Sequence, residues 1–206
     1  TIDGQCARAP EQKVGDEAVA VDGGPLGGDS AGYLMLHKPG GVVSATEDTR
    51  EKTVLSLLPE QYQKQGVFPV GRLDKDTEGL LLLTNDGPLA HRLLSPKNHV
   101  DKVYYAQVDG ILNQEDCEAF HCGVTLADGY TCLPAGLELL EGGRAALVTV
   151  REGKYHQVKR MLAARGKPVT YLKRLSMGPL RLDAALAPGE WRPLTREEVL
   201  SLSRFG

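Results

Sequence analysis

The sequence predicts an α+β fold: a mixed, mostly antiparallel sheet flanked by helices. Alternating or β-branched apolar runs recur at residues 33–37, 80–84, 103–108, 145–151 and 169–175, the period-two pattern of strands. Helix start and stop signals lie between them. Regular strand-helix-strand alternation and internal repeats are both absent, which argues against a doubly wound nucleotide-binding sheet.

Residues 1–30 differ in character from the rest of the chain. Short β-like runs such as Val19 to Val21 stand among Gly, Pro and Asp and end in the flexible Gly23-Gly24-Pro25-Leu26-Gly27-Gly28-Asp29-Ser30. They read as a small appendage with a linker, ahead of a main domain over 31–206. The opening at Thr1, without methionine, reads as a fragment or a trimmed product. After the first strand, short helices are expected over 53–58 and 88–94, the second entered through Asn85 and Asp86 as cap residues. A helix over 114–121 follows Asn113 as its cap. The strongest, over 156–165, is stopped by Gly166, with Pro168 two residues beyond. Thr195-Arg196-Glu197-Glu198 starts a last helix by a capping box.

The chain has 206 residues, 41% apolar and 5% aromatic, with 24 basic against 27 acidic side chains. A single core of this size needs no metal or disulfide staple. No apolar run approaches the roughly 18 residues of a membrane span and no cleavable leader opens the chain, so a cytoplasmic protein without a membrane partner is expected. Cys6, Cys117, Cys122 and Cys132 are scattered without a CxxC pair and read as reduced filler, not as metal ligands. The net charge of −3 would argue against a nucleic-acid partner, yet it is unevenly spread. Residues 153–182 hold Lys154, Lys159, Arg160, Arg165, Lys167, Lys173, Arg174 and Arg181, with no Asp or Glu. Such a stretch is a footprint for a polyanion, because neutralising phosphates releases condensed counterions. A solvated face would interleave both signs.

The most unusual local sequence is Gly71-Arg72-Leu73-Asp74-Lys75-Asp76-Thr77-Glu78-Gly79, a polar loop between two apolar runs. Loops held between rigid strands are where catalytic groups usually sit. The absence of HExxH, P-loop and GxGxxG patterns leaves metalloprotease, kinase and dehydrogenase readings without support.

Gly71-Arg72-Leu73-Asp74, followed by Thr77, Gly79 and Leu80, closely resembles the signature of the pseudouridine synthases, in the branch that modifies ribosomal RNA. Other blocks agree in order and spacing. Leu36-His37-Lys38-Pro39-Gly40-Gly41 resembles the family's Lys-Pro-x-Gly opening strand and loop, and Lys102-Val103-Tyr104 its Lys-x-Tyr motif. Gly153-Lys154-Tyr155-His156-Gln157-Val158-Lys159-Arg160-Met161 resembles its third block, and Leu172-x-Arg174 the Leu-x-Arg of its next one. Leu186 to Thr195 is similar to the closing segment, so the resemblance covers nearly everything from 33 to 203. Thr1 to Gly4 and Val14 to Gly23 resemble the rear half of an S4-type RNA-binding domain. Ser95-Pro96-Lys97-x-His99, with the block from Glu152 to Met161, is most similar to the branch acting on small-subunit (16S) rRNA, at position 516 in rRNA numbering. The large-subunit (23S) branches share most of these motifs.

The resemblance implies that the uridine N1 to C1′ bond breaks, the uracil turns over, and C5 joins C1′. Nothing is gained or lost, so no cofactor and no metal are implied. Asp74 is then the ionised carboxylate that attacks C1′ or removes the 2′ proton. A carboxylate closed into a pocket loses hydration, so a cation must hold it ionised, and the resemblance gives that position to Lys159. Tyr104 offers a flat face to stack on the uracil. Arg72 holds the neighbouring phosphate or fills the gap left by the displaced base. Lys38, Lys102, His156, Gln157, Arg160, Leu172 and Arg174 are expected to bind the RNA. The expected partner is 16S rRNA or the assembling small subunit, and a monomer is the expected state. Two other classes stay open at this point. Asp76 and Glu78 near Asp74 offer a glycosidase-like carboxylate pair. A non-catalytic RNA-binding or assembly factor would use the same fold, although a pure binder has no use for a buried carboxylate facing a polyanion.

Overall fold

The structure, a computed structural model, describes residues 19–21, 24–26 and 32–204. Two short strands, β1 (Val19–Val21) and β2 (Gly24–Leu26), pair antiparallel. Otherwise the S4-like reading of residues 1–30 lies outside the described residues, as does Cys6.

The main sheet has nine strands: β3 (Tyr33–Lys38), β4 (Phe68–Pro69), β5 (Glu78–Thr84), β6 (Lys102–Val108), β7 (Gly136–Leu140), β8 (Ala145–Val150), β9 (Val169–Met177), β10 (Leu180–Arg181) and β11 (Trp191–Pro193). Their order is β11-β3-β5-β9-β6-β8-β7, with β10 on β9 and β4 on β5. Of these pairings only β5 with β9 is parallel. Helices α1 (Glu60–Lys64), α2 (Gly87–Leu94), α3 (Gln114–Cys122), α4 (Gln157–Ala164) and α5 (Arg196–Ser203) flank it. This is the mixed, mostly antiparallel sheet that the apolar runs predict.

The run in β5 is continuous because both of its faces are covered, and successive side chains point to opposite faces. Leu80 and Leu82 pack with Met35, with Leu89 and Leu93 of α2 and with Leu202 of α5. Leu81 and Leu83 pack on the other side with Leu34, Leu36, Val54 and Leu55. Full burial of each such side chain contributes roughly 1.5–3 kcal/mol. A third cluster joins β6, β8 and β9 to Phe120 of α3 and to Met161 and Leu162 of α4. Tyr104 on β6 touches both this cluster and the one under Leu81, so it stands where the two halves of the sheet meet.

The caps form as the sequence indicates. Asp86 accepts from the Leu89 amide at 2.9 Å, and Asn113 with Asp116 and Thr195 with Glu198 make full capping boxes. Two differences stand out. Residues 53–58 form only a short 3-10 turn over Val54–Leu57, and α1 follows it after Pro59, because Leu58 and Pro59 are extended and break the run. Strands β7 and β11, at the two rims of the sheet, lie outside the apolar runs expected from the sequence, although β7 does alternate, with Leu137 and Leu139 packed on the core and Gly136 and Glu138 exposed.

The halves β11-β3-β5 and β9-β6-β8-β7 are joined by two residue pairs, Glu78 with Lys173 and Gly79 with Arg174. Gly79 has a φ of +107°, and a Cβ there would lie 2.2 Å from the Arg174 carbonyl oxygen. Only glycine allows this approach.

Candidate active site

The loop carrying Asp74 enters β5 and is fastened from below. Lys38, fully buried at the end of β3, donates its ammonium to the carbonyls of Pro39 (2.9 Å), Lys75 (3.1 Å) and Thr77 (2.8 Å). Ser44 Oγ donates to the Leu73 carbonyl and accepts from the Leu73 amide, at 2.9 and 3.0 Å. Burial strips water from Lys38 and pulls its pKa down to about 8, against the attraction of Asp76 and Asp74. The loop is thus clamped through its backbone, leaving its carboxylates free to face outward.

From the opposite half, Lys159 rises out of the first turn of α4. Its Nζ lies 3.2 Å from Asp74 Oδ2 and 2.5 Å from Asp76 Oδ1. Burial acts to lower the Lys159 pKa, but the hydrogen bonds to Asp76 and Asp74 outweigh it and hold it above its ordinary value. Asp76 is in turn held below the usual carboxylate range by Lys159. His156 precedes α4 in the left-handed region, with φ 49° and ψ 34°. That turn brings its Nε2 to 3.4 Å from Asp74 Oδ1. Each Asp74 oxygen therefore has a neighbour, and the side chain keeps 24% of its exposure, enough for a ligand to reach it.

Asp74 lies on the wall of a pocket whose apolar lining includes Leu73, Tyr104, Val158 and Leu172, with Arg72, Lys154 and His156 among its polar residues. The rim is pinned by Glu152. Its carboxylate accepts from the Tyr130 hydroxyl (2.6 Å), the Leu133 amide (2.9 Å) and Gln157 Nε2 (2.9 Å). The Tyr130 hydroxyl is pushed up to about 12 by that bond.

Residues 32–164 match the family model described as RNA pseudouridylate synthase. The chain belongs to the RNA pseudouridylate synthase family. It is 50% identical, over 96% of its length and 85% of the relative's, to the uncharacterized RNA pseudouridine synthase YtzG of Bacillus subtilis (strain 168). It is 42% identical to ribosomal small subunit pseudouridine synthase A of Escherichia coli (strain K12), over 98% of this chain and 88% of that one. A crystal structure of a pseudouridylate synthase superposes with a TM-score of 0.78 at 34% identity, covering 98% of this chain and 87% of that one. Pseudouridine synthases are isomerases, so this chain is read as an enzyme.

Of the residues expected to serve pseudouridine synthase chemistry, Arg72, Asp74, Tyr104 and His156 meet in the pocket, and Lys159 reaches it through Asp74. Several residues expected to bind RNA have partners inside the protein. Lys38 is sealed under the loop. Lys102 is buried, its ammonium on the Val100 carbonyl at 2.9 Å and its pKa lowered by burial and then by Arg174. Arg174 is buried with Nε on the Leu80 carbonyl at 2.8 Å. Gln157 is buried against Glu152, and Leu172 is pocket lining. These groups hold backbone carbonyls, carboxylates or apolar neighbours in place, and Gln157 and Leu172 also line the pocket.

The basic stretch is likewise not one open patch. Arg165 and Lys167 both bond the fully buried Asp116, at 2.9 and 2.8 Å, and Arg160 bonds Asp128. The glycosidase-like pair is also absent, because Asp76 is held by Lys159 and Glu78 accepts from the Tyr171 hydroxyl at 2.8 Å. Sequence reasoning missed Asp76 as the second partner of Lys159, and it missed Glu152, Ser44 and Tyr130. Asp76, two residues after Asp74, and Glu152, at the head of the third motif block, gave the only signal among these. Among the described residues, no cluster of three or more His, Cys, Asp or Glu could hold a metal ion, and no helix is long and apolar enough to cross a membrane.

Proposed function

We propose that this enzyme converts one uridine of small-subunit (16S) ribosomal RNA, position 516 in rRNA numbering, to pseudouridine, with Asp74 as its catalytic carboxylate. The observation that carries the reading is the Asp74 and Lys159 pair, 3.2 Å apart at a pocket lined by Tyr104. An ionised carboxylate facing RNA is repelled by every phosphate, so a carboxylate kept ionised there by a fixed cation points to catalysis and not to binding.

In this reading the uridine is flipped from its helix, at a stacking cost of a few kcal/mol, and its base lies on Tyr104. Asp74 attacks C1′ or removes the 2′ proton as the N1 to C1′ bond breaks. Lys159 keeps Asp74 ionised and aimed. The detached uracil turns over against Tyr104 and its C5 bonds to C1′, displacing Asp74 from C1′ or adding to the glycal as the 2′ proton returns; the proton on C5 then leaves and N1 takes one up. Arg72 holds a flanking phosphate or occupies the space the base vacated, His156 lies on the same rim, and Arg160 is proposed as a further RNA contact. The 16S target is supported by the 42% identity to the E. coli enzyme named for the small subunit. Residues 1–30 are proposed as the rear of an S4-like segment and 31–206 as the catalytic domain, acting as a monomer on 16S rRNA or the assembling subunit. The family match, which begins at residue 32, supports that boundary.

Carbodiimide labelling with primer extension, on 16S and 23S rRNA and on assembling subunits, tests the reading. The expected result is one new stop at the 16S uridine with the wild-type chain and none with Asp74→Asn, which still binds the RNA. A stop only in 23S rRNA overturns the target. Equal activity in Asp74→Asn overturns the assignment of the carboxylate.

A further inference from the structure

Tyr155 is the most exposed large apolar side chain among the described residues, at 76%. It belongs to none of the buried clusters, yet its ring is not loose. It lies on the imidazole of His156, with centroids 3.8 Å apart and planes 18° from parallel. His156 is the residue whose Nε2 faces Asp74. One face of the tyrosine is therefore covered by a group that touches the proposed catalytic carboxylate, while most of the ring faces water.

The segment that presents this ring is preorganised. His156 holds a positive φ of 49°, uncommon for a residue with a Cβ and a form of strain that concentrates at functional sites. It persists because both flanks are fixed. Gln157 Oε1 accepts from the Lys154 amide at 3.1 Å, and Gln157 Nε2 donates to buried Glu152. Lys154 also projects over the Tyr130 ring, its Nζ 4.8 Å from the centroid, and among the described residues it pairs with no carboxylate. The rim thus offers an exposed aromatic face and an ammonium without a carboxylate partner one residue apart, beside the Asp74 pocket. Single-stranded RNA is held by that combination, since every base has a face to stack and every nucleotide a phosphate.

We propose that Tyr155 is a nucleobase platform: it stacks the base of a nucleotide next to the target uridine, while Lys154 meets the intervening phosphate. The proposal rests on the uridine-isomerising reading of the Asp74 pocket. It assigns the platform to a flanking base, whereas Tyr104 serves the target base.

The test measures tritium release from 16S rRNA transcribed with 5-tritiated uridine, by the full chain and by Tyr155→Ala, Tyr155→Phe and Tyr155→Trp. Tyr155→Ala is expected to raise KM about 10-fold, the scale of one lost base stack, with the effect falling on KM and not on kcat. Tyr155→Trp and Tyr155→Phe recover most of the loss. Ligated rRNAs with an abasic residue on either side of the modified uridine complete the cycle. On one side the abasic RNA costs the wild type the same factor and costs Tyr155→Ala nothing further. Unchanged KM in Tyr155→Ala overturns the platform, and so does a fall confined to kcat, which would make the ring a support for His156. If the wild type releases no tritium from 16S or 23S rRNA, the reading of the activity fails and the platform with it. If the wild type turns over and all three variants match it, the platform alone fails.

Discussion

Lys159 has one ammonium and two carboxylates within reach, and the nearer is Asp76, not Asp74. Its charge is shared, so removing it leaves two adjacent carboxylates that repel each other and any phosphate. Lys159→Ala is accordingly expected to lower kcat more than about 10-fold at saturating RNA; a loss that higher RNA concentration restores would make Lys159 a phosphate contact. Tyr104 calls for a different experiment, because its ring and hydroxyl have separable uses. Tyr104→Phe keeps the stacking face and is expected to stay within about threefold of wild type, whereas Tyr104→Ala loses at least about 10-fold, both read from single-turnover rates. At this scale Asp74, Lys159 and Tyr104 could be named because ordered motifs resemble a known family's. The sequence was uninformative about what those motifs' other polar residues touch. Lys38 and Arg174 look like RNA contacts on paper because a positive charge carries no mark of the carbonyl it will meet.

Elements were legible where local rules act alone. Capping residues and the apolar runs of β3, β5 and β9 announce themselves through near-neighbour chemistry. The pairings at the rims do not, since β7 and β11 owe their strand form to the partner beside them. The contact of β5 with β9 is the sharpest case, being fixed by the absence of a side chain at Gly79. Gly79→Ala drives a Cβ into the Arg174 backbone at a φ of +107° and is expected to destabilise the protein by about 3 kcal/mol or more, or to prevent folding. Gly87→Ala, where a Cβ meets open space, should stay within about 0.5 kcal/mol. Denaturant midpoints of the two variants separate a required glycine from an incidental one.

For the molecule as a whole, the buried ammonium of Lys38 couples stability to pH. Its pKa falls from 10.5 in the open chain to about 8 in the fold. Between those values the unfolded chain holds a proton that the folded chain has lost, so stability rises with pH across that window; below about 8 the fold carries a buried charge. The stability of wild type relative to Lys38→Met is therefore expected to increase from pH 8 to pH 10.5, by at most about 3 kcal/mol, as read from paired denaturation curves. A flat difference would mean that Lys38 is more hydrated than its surroundings indicate.

The joint at Gly79 and Arg174 also bears on how such a chain can change over generations. Asp74 belongs to one half of the sheet, while Tyr104 and Lys159 belong to the other, so the joint sets the spacing between carboxylate, cation and ring. Extra residues at the far edges, beyond β7 or β11, move none of the three. Insertions there leave that spacing untouched and are open to drift. A single methyl group at the joint is not.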